Sequence, residues 1–204
     1  MPRSRLIGIY LAAGRSSRMG VNKLELPFKV GMLGSLGFSA ALDSRLIETI
    51  AVTRRGDPLH WLAPFSQRKG WTSIECAFSD LGLSESLKAG VRKAQEMDAC
   101  GVMVMLADQP FVDAVNLNLL IDAYTGKNVV SAFDGRLCKP PVLFPEQLFP
   151  DLLKLEGDEG ARAILRCLDG TVRIPFPLWC FRDFDTPEDY QSIVEVNFDA
   201  DCWK

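Results

Sequence analysis

The sequence predicts an α/β fold, a mostly parallel sheet with helices on both faces in a three-layer sandwich. Two observations carry this. Short apolar runs of strand length alternate with segments of helical periodicity, and no internal repeat, low-complexity tract or linker interrupts them. The 204 residues are 48% hydrophobic and 24% charged, a globular composition, and 1–204 reads as one domain.

The apolar runs Leu6–Leu11, Ile47–Thr53, Ser73–Phe78, Gly101–Leu106 and Val129–Phe133 read as strands. Between them lie helical stretches. Residues 32–43 are small and apolar. Residues 84–97 place Leu87, Val91 and Ala94 on one face, and residues 113–125 carry Val115, Leu119, Leu120 and Ile121. Strand and helix in this order favour parallel pairing. The last third differs. "KPPVLFPEQLFPDLLKL" reads as a strand running into a short helix, and "GDEGARAILRCL" as a further helix with Asp158 and Glu159 near its start. "TVRIP" and "CFRDFD" read as short strands, and "TPEDYQSIVEV" as a closing helix with Thr186 as its cap and Pro187 at the first helical position. This part is expected to add edge strands and a lobe over the sheet.

Charge and composition narrow the function classes. The net charge of −3 disfavours non-specific nucleic-acid binding, so positive charge that matters must be local. No apolar run approaches the roughly 18 residues of a membrane span. The apolar N-terminal run is short and flows into Gly and Arg, so it reads as a first strand and not as a signal peptide, and a cytoplasmic location is expected. The six cysteines form no CxxC pair, and His60 is the single histidine. That pattern disfavours a Cys/His zinc site and a Ser-His-Asp triad. Chemistry must then run on carboxylates, Lys and Arg, and a bound cation.

Open α/β sheets bind ligands outside the carboxyl ends of their strands, and three polar loops fall there. The first, "LAAGRSSRMGVNKLELP" from Leu11 to Pro27, has Gly14 and Gly20 for close backbone approach, Ser16 and Ser17 as donors, and Arg15, Arg18 and Lys23 as cations. It is neither a Walker loop nor a GxGxxG fingerprint, and two readings stay open: a solvated basic turn, or a loop holding several negative charges. The second, "VMVMLADQPF", brings Asp108 to a strand end, where it either turns the chain before Pro110 or holds Mg²⁺. The third, "FRDFDTPEDY", offers Asp183 and Asp185, which face opposite sides of a strand unless the backbone bends. Together these are the parts phosphoryl or nucleotidyl transfer needs, namely cations for a polyphosphate and carboxylates for Mg²⁺.

The first loop resembles the nucleotidyltransferase signature LAAGxSxRMGxxKxLLP of the sugar-nucleotide type. "LADQP" is similar to that superfamily's metal-binding strand end, and "GLSESLKAG" to its GxSxSLxAG segment. "PPVLF", "LEGDEGARAIL" and "DFDTPEDY" resemble the molybdenum cofactor cytidylyltransferase branch, which includes accessory proteins for xanthine dehydrogenase-type enzymes. The matches keep their order from residue 6 to residue 190. The resemblance implies a Rossmann-like fold of the nucleotide-diphospho-sugar transferase type and a Mg²⁺-dependent transfer of CMP from CTP to the terminal phosphate of a molybdopterin-type cofactor. A molybdenum hydroxylase would be the client. Gly14, Arg15, Ser16, Arg18 and Lys23 would hold the triphosphate, Leu11 would belong to the nucleotide site, and Ala12 and Ala13 would lie against the base. Related guanylyltransferases read LAGG there, so LAAG leans toward CTP. Ser84, Ser86 and Leu87 would frame the nucleotide. Asp108 would bind Mg²⁺ with Asp185 or Asp183, and Arg18, Lys23 and Asp108 would carry the catalysis. Pro141, Gly157, Asp158, Gly160 and Arg162 would face the acceptor. The chain departs from the pattern at Cys138-Lys139-Pro140, where the family has Gly and His, which leaves open another nucleotide with a sugar- or alcohol-phosphate acceptor. A non-catalytic carrier of the cofactor is a further alternative. So is an oxidoreductase on the same fold, against which the lack of GxGxxG stands.

Overall fold

The computed structural model describes residues 5–29, 31–158, 160–161, 164–165, 168 and 170–195. The first strand, β1 (Leu6–Ala12), is buried at all seven positions. Alternate side chains of a strand point to opposite faces, and here they divide two cores. Leu6, Tyr10 and Ala12 join one, and Ile7, Ile9 and Leu11 the other.

The later strands are β2 (Pro27–Phe28), β3 (Gly31–Met32), β4 (Glu48–Arg54), β5 (Trp71–Cys76), β6 (Gly101–Leu106), β7 (Val130–Phe133), β8 (Cys138–Pro145) and β9 (Val172–Pro175). Among the described residues seven of them form one sheet in the order β5-β4-β1-β6-β8-β7-β9, and β2 and β3 make a small antiparallel ribbon. The pairs β1–β4, β1–β6, β4–β5 and β7–β9 are parallel, and β8 runs antiparallel to both its neighbours. Helices α1 (Leu33–Asp43) and α3 (Ala114–Ala123) cover the Tyr10 face. Helices α2 (Leu83–Glu96) and α4 (Phe149–Leu152) cover the Ile9 face. The five strands and three helices expected before residue 134 all form, with bounds within two residues of the expectation. The mostly parallel, doubly covered sheet is the predicted fold class.

Three expectations need correction. The antiparallel strand with the prolines does not lie at an edge, since β8 sits between β6 and β7. A proline donates nothing to a ladder, and the register jumps from Ser131↔Val142 to Ala132↔Lys139, so Pro140 and Pro141 are passed over. Ser131 Oγ then donates to the Lys139 carbonyl at 3.1 Å. In α3, Leu117 and Leu120 are the buried residues, while Val115 and Leu119 are exposed. "CFRDFD" is not a strand. Residues Leu178–Phe181 form a 3-10 turn, and the chain runs on without ladder pairing to α5 (Pro187–Glu195). The reason is spacing: Phe181 and Phe184, three residues apart, both enter the Tyr10 core, whereas strand alternation would send them to opposite faces. The cap of α5 forms as expected. Thr186 Oγ1 accepts from Asp189 N–H at 3.2 Å while the Asp189 carboxylate accepts from Thr186 N–H at 2.9 Å. The helix expected in "GDEGARAILRCL" lies partly outside the described residues.

The ladder between β6 and β8 ends at Val104↔Val142, yet β6 continues along β1 to Leu11↔Leu106. The end of β6 is therefore open on one side where Asp108 follows.

Gly90 lets α2 seat on the sheet. A Cβ there would lie 2.4 Å from Ile9 Cγ2 and 3.2 Å from Val52 Cγ2. Gly90→Ala gains about 1 kcal/mol of helix propensity but overpacks a close-fitted core, which costs about 1–3 kcal/mol or more. With so short a contact the overpacking wins, and urea denaturation is expected to show a net loss of about 2 kcal/mol. Unchanged stability would mean that α2 rides higher on the sheet than this.

Candidate active site

At the end of β1 the chain leaves Ala12 and enters the signature loop. Ser16 (φ 48°) and Gly20 (φ 70°) both take left-handed conformations, and the Met19 amide donates to the Ser16 carbonyl at 3.0 Å. The loop ends in a 3-10 turn, Lys23–Glu25, capped by Asn22, whose Oδ1 accepts from Leu24 N–H at 3.1 Å. Leu24 is buried in the Tyr10 core, and Ser16 Oγ accepts from Lys23 N–H at 3.2 Å. Two anchors therefore fix the backbone on both sides of the Lys23 side chain.

Lys23 points into a cleft of about 570 Å³. Its Nζ lies 2.7 Å from Asp108 Oδ2 and 3.2 Å from Asp185 Oδ1. Arg18 reaches the other Asp185 oxygen at 3.1 Å. Exposure falls steeply across this group, from 39% at the Asp185 side chain to 20% at Asp108 and 11% at Lys23. Burial disfavours the Lys23 ammonium, but Asp108 and then Asp185 outweigh it and hold its pKa above the ordinary lysine value. A raised lysine pKa stabilises the fold fully below the unfolded value near 10.4 and ceases to do so only at more alkaline pH. At neutral pH the ammonium is therefore a fixed charge. At the rim, Arg15 Nε donates to Asp80 at 2.7 Å, and that contact holds the exposed Asp80 carboxyl below its usual pKa.

Asp183 and Asp185 flank Phe184, which is fully buried with its ring 5.2 Å from Phe28 and 6.1 Å from Phe111. That anchor turns the two carboxylates apart. Asp185 takes Lys23 and Arg18, whereas Asp183 accepts from Gln109 Nε2 at 3.4 Å. Loss of solvation and then the nearby Asp108 charge push the Asp183 carboxyl above its usual pKa. Among the described residues no three His, Cys, Asp or Glu side chains cluster to hold a metal, so Asp183 does not complete a three-carboxylate site. The pair that converges on a single cation is Asp108 with Asp185.

The cleft gathers most of the expected nucleotide residues. Leu11, Ala12, Ala13, Gly14, Arg15, Ser16, Arg18, Lys23, Ser86, Asp108 and Asp185 all line it. Ser84 and Leu87 do not, since both are fully buried at the base of α2. Pro141 faces inward, toward a void of about 10 Å³ shared with Tyr10 and Gln109, and meets no open acceptor space there. Asp158 lines the same cleft as Ala12 and Ala13. Its turn is docked on the start of α2, where Ser84 N–H donates to the Gly157 carbonyl at 3.1 Å and Gly160 backs onto Leu83. Gly82 makes this docking feasible: at φ 122° a Cβ would stand 2.2 Å from the Gly157 carbonyl oxygen. Arg162 lies outside the described residues. Asp80 and Gln109 were missed by the sequence reading: Gln109 sits inside "LADQP", whereas Asp80 falls two residues before "GLSESLKAG".

The family model for the MobA-like NTP transferase domain matches residues 8–172. The chain belongs to this family. This MobA-like nucleotidyltransferase is 39% identical over 199 residues to a Bacillus subtilis protein named purine catabolism protein PucB, covering 92% of this chain and 95% of that one. Its fold is similar to that of a nucleotidyl transferase from Methanothermobacter thermautotroptrophicus, with a TM-score of 0.77 at 25% identity, covering 93% and 96% of the two chains. Rv0371c from Mycobacterium tuberculosis shares the fold with a TM-score of 0.76 at 22% identity over 96% and 100% of the chains. No helix among the described residues is long and apolar enough to cross a membrane.

Removing the ammonium leaves two carboxylates facing each other. A fully buried pair broken this way loses about 3–5 kcal/mol, and the solvent at Asp185 reduces that. Lys23→Met is expected to lower stability at pH 7 by about 1–3 kcal/mol without added metal, and Asp108→Asn in the same chain to recover part of it. Additive losses in thermal denaturation would show that the pair is not coupled.

Proposed function

We propose that this transferase moves CMP from CTP to the terminal phosphate of a molybdopterin-type cofactor and releases pyrophosphate. The observation that carries the reading is the convergence of Asp108 and Asp185 on one cation at the floor of a cleft walled by the signature loop. An oxygen of the acceptor phosphate attacks the α-phosphorus of CTP. The new P–O bond forms as the bond to the bridging oxygen of the β-phosphate breaks, and pyrophosphate leaves with that oxygen and its electron pair. A phosphate nucleophile is already ionised at neutral pH, so no strong general base is needed. Arg15, Arg18 and Lys23 carry the charge of the leaving pyrophosphate.

Both carboxylates present oxygen donors toward one point, which suits a hard divalent cation. Mg²⁺ takes one or two protein carboxylates and completes its shell with water and phosphate oxygens. Asp108 and Asp185 would hold it, and when bound it neutralises charge on the α-phosphate and the leaving group. Lys23, no longer needed between the carboxylates, is then available to the phosphates.

The LAAG sequence supports CTP over GTP. The PucB relative's name, purine catabolism, agrees with the resemblance to the branch that serves xanthine dehydrogenase-type enzymes. A second reading changes the acceptor to a sugar or alcohol phosphate. It rests on Cys138-Lys139-Pro140, which differ from the family pattern and form the start of β8. Lys139 Nζ lies 2.6 Å from Asp134 and 5.3 Å from the Phe181 ring centre. Pyrophosphate release measured with each acceptor separates the two readings.

A thermal-shift panel of CTP, GTP, ATP and UTP with Mg²⁺ tests the nucleotide. A ligand bound only by the folded state at a hundred times its Kd adds about 2.7 kcal/mol of apparent stability. CTP is expected to give the largest shift, and a larger shift with GTP would overturn the base assignment. Asp108→Ala is expected to abolish pyrophosphate release while leaving the circular dichroism spectrum unchanged. Full turnover by that variant would remove Asp108 from the chemistry.

A further inference from the structure

Two cavities adjoin the signature loop. One is the cleft that holds Lys23. The other, of about 320 Å³, is lined by Gly14, Arg15, Ser16, Gly20, Asn22 and Arg54 among others. Gly14, Arg15, Ser16 and Ser17 belong to both walls, so the two cavities adjoin along this segment.

Arg54 is the part of this cavity that does not come from the loop. It ends β4, one residue past Thr53, which pairs with Ala12 of β1. The sheet itself therefore places this arginine beside the start of the loop. Its guanidinium is partly exposed and donates to Asp57 at 3.1 Å, which engages one of its five N–H groups. Its charge is also felt at Asp80, the partner of Arg15 across the cleft. Arg15 on the loop and Arg54 beside it thus both line this cavity, together with Ser16 and Ser17. Asn22 Nδ2 is buried there with no hydrogen-bond partner. The donors in this wall outnumber its acceptors, and no carboxylate lines it. Such a wall suits an anion.

We infer that Arg54, which no motif contains, is a further phosphate-binding residue: from this second cavity it binds the outer, β- and γ-phosphates of a nucleotide held by the loop. The assignment rests on the nucleotidyltransferase reading of the main cleft. There Lys23, Asp108 and Asp185 are placed for the α-phosphate, and the departing diphosphate needs cations beyond them. Arg54 supplies one from rigid strand, whereas Arg15 and Arg18 ride on the loop. A guanidinium matches two phosphate oxygens at once, which lysine cannot do.

The test is calorimetric titration of the full chain with inorganic pyrophosphate, CTP and CMP. Removing Arg54 leaves the shielded Asp57 unpaired, so Arg54→Gln is compared with the neutral pair Arg54→Gln/Asp57→Asn, each checked by its melting temperature. The expected result in both is pyrophosphate and CTP affinity weakened about ten-fold or more, with CMP unchanged. Arg54→Lys is expected to recover only part of the loss. Pyrophosphate and CTP affinities equal to the wild type in the folded double variant would overturn the inference. Loss of CMP affinity to the same degree would also overturn it, since Arg54 would then only support the loop. Arg54-dependent pyrophosphate binding in a wild type that takes up no CTP would uphold the anion seat and overturn the CTP reading instead.

Discussion

The Lys23 ammonium stands between Asp108 and Asp185, and three distant parts of the chain must be in place for that. Leu24 has to be buried beside the Tyr10 core so that the loop ends where it does. The β8 ladder has to stop at Val142 so that the end of β6 stays open around Asp108. Phe184 has to be clamped among Phe28, Phe111 and Tyr190 so that Asp185 turns inward. Prolines that cannot pair, one buried leucine and one buried phenylalanine thus converge on a single charge. None of these residues touches substrate in this account, yet each determines where a catalytic atom lies.

In a chain of net charge −3, the cations of the loop are each matched to a carboxylate: Arg15 to Asp80, Arg18 to Asp185, and Lys23 to Asp108 and Asp185. This keeps a concentrated basic loop from repelling itself. It also sets the order of exchange. A polyphosphate competes with carboxylates that are more exposed at the rim than at the floor, so the rim arginines yield most easily and Lys23 last. A divalent cation that takes over the carboxylates removes that last competition.

Much of the fold was legible in the sequence because strand and helix periods were clean. Leu87, Val91 and Ala94, read as one helix face, all lie in the same core as Ile9. The signature loop was legible as a motif, and its residues do share one cleft. What sequence could not show was which side of an element a residue meets once packed. Pro141 reads as part of an acceptor loop, but the register jump at Ser131 turns it inward. Ser84 belongs to a nucleotide motif, yet it is fully buried at the start of α2. The two aspartates of "DFD" were placed on a strand because alternation was assumed. The helical spacing of Phe181 and Phe184 was in the sequence, and it was the better guide. Arg54 carried no motif at all. Only the pairing of Thr53 with Ala12 brings it to the loop.

The central claim is that Lys23 and a divalent cation compete for the same two carboxylates. It is tested most directly by titrating wild type and Lys23→Met with Mg²⁺ in the absence of nucleotide, followed by calorimetry. The account predicts that Mg²⁺ binds more tightly to Lys23→Met, because no ammonium has to be displaced. Equal or weaker Mg²⁺ affinity in the variant would contradict it.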